Sequence, residues 1–71
     1  MSTKLTFTPY QKTLRVSTSS KIVEIVIFDI DGSLVYKGSC TEINTTQFAK
    51  GTYLLSAKTE DGIIYDRFLI E

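Results

Sequence analysis

The sequence predicts an all-β domain, an immunoglobulin-like antiparallel β-sandwich of about seven short strands. Three observations indicate this fold. Short runs rich in Val, Ile, Thr, Phe and Tyr recur along the 71 residues, and several alternate apolar with polar side chains, as half-buried strands do. Turn-forming residues separate the runs at intervals of about 8–12 residues, which is typical of a sandwich or barrel. No segment carries apolar residues at the spacing of a packed helix.

The length predicts one domain, residues 1–71, with a small core. A chain of about this size buries only about 60% of the surface of its unfolded state. Such a core alone supplies about 3–5 kcal/mol of stability. We therefore expect a domain that is marginally stable and sensitive to loss of core side chains.

Charge and composition argue against several classes of function. Lys+Arg and Asp+Glu each total 8, and the basic residues are scattered, which argues against nucleic-acid binding. The chain has one Cys, Cys40, and no His, which excludes an internal disulfide and disfavours a zinc site or a His-based catalyst. The sequence predicts no metal or other cofactor. No run approaches the ~18 apolar residues of a membrane span, and the N-terminus lacks the apolar core of a signal peptide.

The first two strands are predicted at Lys4–Thr8, which Pro9 ends, and at Thr13–Ser17. Both alternate apolar with polar residues, as strands with one buried face do. The side chains expected to face the core are Leu5 and Phe7 in the first strand and Leu14 and Val16 in the second.

A hairpin is predicted next, formed by Ile22–Ile30 and Ser33–Lys37. Asp29 at the first position of a type I turn can accept a hydrogen bond from the backbone two residues on, and Gly32 at the last can take a positive φ. Asp29, Asp31 and Gly32 are therefore interpreted as structural turn residues.

Both faces of the first hairpin strand are apolar. Val23, Ile25 and Ile27 are predicted on one face, and Ile22, Val26, Phe28 and Ile30 on the other, where only Glu24 interrupts them. Two interpretations remain open. The strand is central, with its second face covered by loops or long side chains, or that face is a docking surface for a partner domain.

The rest of the chain contributes three more strands. A short strand at Thr41–Thr45 is anchored by Ile43, and Phe48-Ala49 is expected to plug the end of the sandwich. A strand over residues 53–57 turns Tyr53, Leu55 and Ala57 to one face. Asp61 and Gly62 close a second tight turn, and Ile63–Ile70 is the last strand. Its two faces are nearly equal in apolar character, so the inner face is not assigned.

One short motif suggests catalysis. The stretch Val26–Val35 resembles the first motif of the haloacid dehalogenase superfamily, which implies Asp29 as a phosphate-attacking nucleophile and Asp31 as a general acid, with Mg²⁺. That family uses a doubly wound α/β domain, which 71 residues without helices cannot build. A phosphatase fragment therefore remains a remote alternative.

A longer series of motifs runs along nearly the whole chain. Pro9 stands five residues before Leu14-Arg15-Val16, and Ile25-Val26-Ile27-Phe28-Asp29 leads to Gly32 and Val35. Ile43, Phe48 and Lys50 precede Gly51-Thr52-Tyr53, and Asp61-Gly62 precedes Arg67-Phe68-Leu69-Ile70. In this order the motifs resemble the C-terminal sorting domain of type IX secretion substrates from Bacteroidetes. The chain departs from that pattern in keeping only the second proline of the Pro-Asn-Pro start, and in having Arg67 where lysine is usual.

The resemblance implies a non-catalytic sorting signal that belongs to a larger exported protein. It implies three partners: the outer-membrane secretion machinery, a sortase-like peptidase that removes the domain or links the cargo to surface lipopolysaccharide, and a cargo domain on the N-terminal side. The location that it implies is secreted or cell-surface, reached through the periplasm and the outer membrane.

The last strand, with two residues beside it, is the predicted recognition region, because an edge strand offers main-chain groups to a receptor. Its predicted residues are Gly51, Tyr53, Arg67, Phe68, Leu69 and Ile70. Gly51 and Tyr53 also fit a purely structural interpretation, as a tight turn and a core aromatic. The alternative function is an accessory or freestanding immunoglobulin-like module that binds protein or carbohydrate, although the lack of Trp disfavours carbohydrate.

Overall fold

The computed structural model describes residues 3–8 and 12–71, except for the side chains of Thr3, Phe7 and Thr8. This part of the chain forms seven strands and no helix. The strands are β1 (Thr3–Thr8), β2 (Thr13–Thr18), β3 (Ile22–Asp29), β4 (Leu34–Gly38), β5 (Glu42–Asn44), β6 (Gly51–Thr59) and β7 (Gly62–Ile70). All seven predicted strands are confirmed, and their ends differ from the prediction by two residues at most.

The strands form two antiparallel sheets, which confirms the predicted β-sandwich. One sheet has three strands in the order β1-β2-β5, and the other has four in the order β4-β3-β6-β7. β3 and β6 are the central strands of the larger sheet and pair over most of their length. β4 and β7 lie at its two edges.

The core lies between the sheets, and in β2 and β6 it follows the predicted alternation. The three-stranded sheet supplies Leu14, Val16 and Ile43, and the four-stranded sheet supplies Ile25, Ile27, Tyr53, Leu55, Ala57 and Ile70, all buried. Leu5 packs partly buried against this cluster. The predicted inward position of Phe7 and the role of Pro9 fall outside the described part of the structure.

The predicted faces of Val23 and Ile22 are both wrong. Ile22, which was grouped with Val26 and Phe28, packs partly buried against the core, and Val23 does not join Ile25 and Ile27 there. The pairing of β3 with β6 shifts between Ile22 and Glu24, so that Val23 is the extra residue of a β-bulge and is 49% exposed. A bulge changes the face to which the following residues point. Ile25 and Ile27 are fully buried, which defines the inner face of β3 that the sequence left unassigned.

The structure distinguishes the two faces of β7, which the sequence does not. Ile70 is buried, and Ile64 and Phe68 are half-buried, whereas the alternate residues Ile63, Tyr65 and Leu69 are exposed. Even-numbered residues of β7 therefore face the core, and odd-numbered residues face away from it.

The segment between β5 and β6 contains no helix, only a turn in which the Phe48 N–H donates to the Thr45 carbonyl at 3.0 Å. Phe48 still closes the end of the core, half-buried against it. Its ring centroid lies 5.2 Å from that of Tyr53.

Candidate functional site

The carboxylate of Asp29 holds the turn between β3 and β4. Its Oδ1 accepts hydrogen bonds from the backbone N–H groups of Asp31 and Ser33, both at 2.9 Å. The Gly32 N–H also donates to the Asp29 carbonyl at 3.0 Å, and Gly32 has φ 88°. Asp29 therefore stabilises a bend by the mechanism that the sequence predicted.

The turn between β6 and β7 uses the same chemistry with a threonine. Thr59 Oγ1 accepts from the Asp61 N–H at 3.2 Å and donates to the Gly62 carbonyl at 2.9 Å. Ser20 Oγ donates to Asp61 Oδ2, which ties this turn to the connection between β2 and β3. Gly62 has φ 136°, a conformation that glycine adopts most easily.

The fold around Asp29 is incompatible with the phosphatase interpretation. β3 returns through β4 as an antiparallel neighbour, whereas a doubly wound domain needs parallel strands joined by helices. In the described ranges no group of three or more His, Cys, Asp or Glu residues could hold a metal ion.

A cleft of about 780 Å³ opens at the end of the sandwich near Asp29. Two of its polar side chains hydrogen-bond within the protein. The Tyr53 hydroxyl donates to the Ala49 carbonyl at 2.6 Å, and Asn44 Oδ1 accepts from the Thr46 N–H at 2.8 Å. These hydrogen bonds give Tyr53 and Asn44 structural roles in the loops that line the cleft.

Another polar group of interest is the Tyr36 hydroxyl on β4. Burial, together with the neighbouring Cys40 thiol, raises the pKa of Tyr36 above its ordinary value. The phenol thus stays protonated at neutral pH, and its surroundings do not favour the anion.

The structure brings the predicted recognition residues of β6 and β7 together. Gly51 pairs with Ile70, and Tyr53 pairs with Phe68. The Tyr53 and Phe68 rings are stacked with centroids 5.6 Å apart, and Gly51 has φ 146° where β6 begins. These four residues hold β7 against the core.

The other two predicted residues face solvent. Arg67 lies opposite Leu54, and Leu69 lies opposite Thr52, all on the sheet face that points away from the core. Leu69 is 52% exposed, and Arg67 is exposed as well. The predicted recognition set therefore divides into residues that a partner can touch and residues that position the strand.

Sequence reasoning missed one polar residue of β7, Asp66. Its position in the strand matches the inward-facing Ile64 and Phe68, yet its side chain is exposed. Asp66 Oδ1 accepts a hydrogen bond from the backbone N–H of the next residue, Arg67, at 2.8 Å. An acidic residue between two inward apolar positions was a visible signal in the sequence.

The outer face of the four-stranded sheet is apolar and open. Val26 and Phe28 of β3 are half-buried; exposed apolar side chains around them are Leu34, Leu54, Ile63, Tyr65 and Leu69. Their exposure shows that loops of the described chain do not cover this face. Cover by loops therefore finds no support, while neighbouring side chains leave Val26 and Phe28 half-buried, and docking remains a prediction.

The fold and this open region define a class of protein: a small β-sandwich domain with an accessible edge strand and an apolar sheet face. The family model described as the secretion system C-terminal sorting domain matches residues 8–71. The chain belongs to that family, and it is a C-terminal sorting signal for type IX secretion of a larger protein. This confirms the resemblance found in the sequence. A search of curated proteins returned no match.

Membership of this family implies that the protein which carries the domain is exported toward the cell surface or beyond it. The described residues contain no helix that is long and apolar enough to cross a membrane.

Proposed function

We propose that the outer-membrane secretion machinery recognises this domain at β7, by adding a strand of its own to the free edge of the four-stranded sheet. The observation that carries the proposal is the position of β7. It has β6 on one side and no strand of the described chain on the other. An edge strand presents a row of main-chain donors and acceptors, and strand addition uses them for affinity.

Side chains of β7 supply the specificity in this proposal. Ile63, Tyr65 and Leu69 are exposed beside Arg67 on the outer face, where a partner that pairs with the edge would also reach. Phe68 and Ile70, with Tyr53 and Gly51 beside them, keep the strand extended for pairing.

The domain itself performs no chemistry in this proposal, and Asp29 acts only in its turn. After the cargo has crossed the periplasm and the outer membrane, a sortase-like peptidase removes the domain or transfers the cargo to surface lipopolysaccharide. The cargo is then secreted or displayed on the cell. Support for these partners comes from the family, whose members are sorting signals.

Proline at position 65 tests the proposal, because it removes an edge N–H. Tyr65 is 75% exposed, and proline is tolerated on an edge strand where its nitrogen faces solvent. We expect a cargo fused to the Tyr65→Pro chain to be retained in the cell, whereas Tyr65→Val, which keeps the N–H, is exported. Deletion of residues 67–71 should also block export.

The readout is the amount of cargo in the medium or on the cell surface. Far-UV circular dichroism of each purified chain shows whether the variant is folded. Normal export of a folded Tyr65→Pro fusion would contradict the proposal that β7 is recognised by strand addition.

A further inference from the structure

Asp66 lies at the middle of β7 and occupies a main-chain donor of its free edge. In an antiparallel ladder, alternate residues of a strand bond to the neighbouring strand, and the others point their N–H and C=O groups away from it. The Arg67 N–H is taken by the Asp66 carboxylate. Arg67 therefore belongs to the set that faces the free edge, together with Ile63, Tyr65 and Leu69.

An inward charged residue on an edge strand is a known way of preventing unwanted strand pairing. Asp66 has this placement, since it shares the inward parity of Ile64 and Phe68 and remains exposed. Its carboxylate also occupies the space beside the Arg67 N–H, which is where the carbonyl of an added strand would come.

Self-pairing of β7 shows what this charge does. If two copies paired antiparallel about position 66, Ile63 would face Leu69, Ile64 would face Phe68, and Tyr65 would face Arg67 of the second copy. These pairs are favourable ones for neighbouring strands. Within residues 63–69, only the central pair, Asp66 against Asp66, opposes the arrangement, because like charges directly opposite are destabilising.

A partner strand meets the same carboxylate. When its carbonyl takes the Arg67 N–H, Asp66 loses its hydrogen-bond donor and stays beside the incoming chain. Residue 66 then lies in a pair without mutual main-chain hydrogen bonds, where the facing Cα atoms approach to about 4.5 Å. The residue opposite Asp66 is therefore close to a carboxylate that lacks a donor.

We propose that the strand added to β7 carries a lysine or arginine opposite Asp66. The cation replaces the donor that the carboxylate gives up, and Asp66 thereby admits a basic partner strand and rejects a second copy of this chain. This inference rests on the proposed recognition of β7 by strand addition, and it adds the chemistry of the strand that pairs with β7.

The test uses nine-residue peptides of alternating Thr and Val, with both ends blocked and one central Lys or Glu. Binding to the ¹⁵N-labelled 71-residue chain is followed through the amide chemical shifts of residues 63–69. We expect the Lys peptide to bind about threefold to tenfold more tightly than the Glu peptide, since one cross-strand charge pair replaces a repulsive one.

Variants at position 66 fix the origin of the preference. Asp66→Lys should reverse the order of the two peptides, and Asp66→Asn should abolish the difference between them. Asp31→Asn removes the same charge from an exposed turn and should keep the preference of the parent chain.

Equal affinity for both peptides, binding of neither, or a preference unchanged in Asp66→Lys would overturn the inference. Each of these results would leave the proposed recognition of β7 by strand addition intact if Tyr65→Pro still blocked export. Normal export of Tyr65→Pro, in contrast, would reject that proposal whatever the peptide affinities are.

Discussion

At the scale of single residues, Asp29 and Asp31 look alike in the sequence and differ in the structure. Asp29 Oδ1 accepts two backbone hydrogen bonds, while Asp31 contributes its backbone N–H and is exposed. We expect Asp29→Ala to lower the free energy of unfolding by about 1–2 kcal/mol, because two turn amides lose their acceptor. Urea denaturation followed by circular dichroism measures the change.

Asp31→Ala is the matched control, since it removes the same charge from the same turn. Its effect should stay within about 0.5 kcal/mol, as for an exposed surface position. Equal losses for the two variants would show that the turn depends on charge rather than on the Asp29 hydrogen bonds.

The residue scale also shows what sequence reasoning could and could not reach. The role of Asp29 was predictable because a turn between two apolar runs depends on local chemistry alone. The bond from the Arg67 N–H to Asp66 was not, because it depends on which way an amide faces in a sheet. That direction is set by the register between β7 and β6, which local sequence patterns do not determine.

At the scale of elements, the direction of each β7 amide can be measured by hydrogen exchange. We expect slow exchange at residues 64, 66 and 68, whose amides bond to β6, and fast exchange at residues 63, 65 and 69. Arg67 should exchange more slowly than Tyr65 and Leu69, because Asp66 holds its N–H.

Asp66→Ala should bring the exchange of the Arg67 amide up to the rate of Tyr65 and Leu69 and leave residue 64 unchanged. Two-dimensional NMR in D₂O gives these rates residue by residue. Slow exchange at all odd-numbered positions of β7 would mean that the edge is covered.

The strands themselves were predictable, but the faces of two of them were not. Alternation defined the buried side of β2 and β6 because each has one apolar and one polar face. β3 and β7 are apolar on both faces, so alternation could not show which face of these strands is buried. The bulge at Val23 further shifts the register by one residue, which exchanges the faces of a strand.

At the scale of the whole molecule, stability rests on a core of few side chains. Ile27 is fully buried at the centre of β3, and Ile27→Ala should cost about 3 kcal/mol. This approaches the whole stability of about 3–5 kcal/mol that a domain of this size draws from its core. We therefore expect the variant to be largely unfolded at 37 °C in a thermal melt.

Leu54→Ala is the control for Ile27→Ala, because Leu54 lies in the same sheet and is 41% exposed on the outer face. It should cost less than about 1 kcal/mol. A similar loss from both variants would mean that the outer face is buried in solution.

Strand count and two-layer architecture followed from the spacing of turns, whereas strand order did not. β5 pairs with β2 in the three-stranded sheet, although β3 and β4, which lie between them in sequence, belong to the other sheet. No local pattern in the sequence indicates this pairing. The free edge of β7 is a consequence of this order. The position of the candidate site therefore required the structure, even though most of its residues were named from the sequence.

The single thiol of the chain has a practical consequence. Cys40 is exposed and follows β4, which lies at the opposite edge of the sheet from β7. Three strand spacings, about 14 Å, separate those edges. A fluorophore attached to Cys40 would report the binding of a dye-labelled partner at β7 by energy transfer, because it would not obstruct that edge. The native chain needs no engineering for this label.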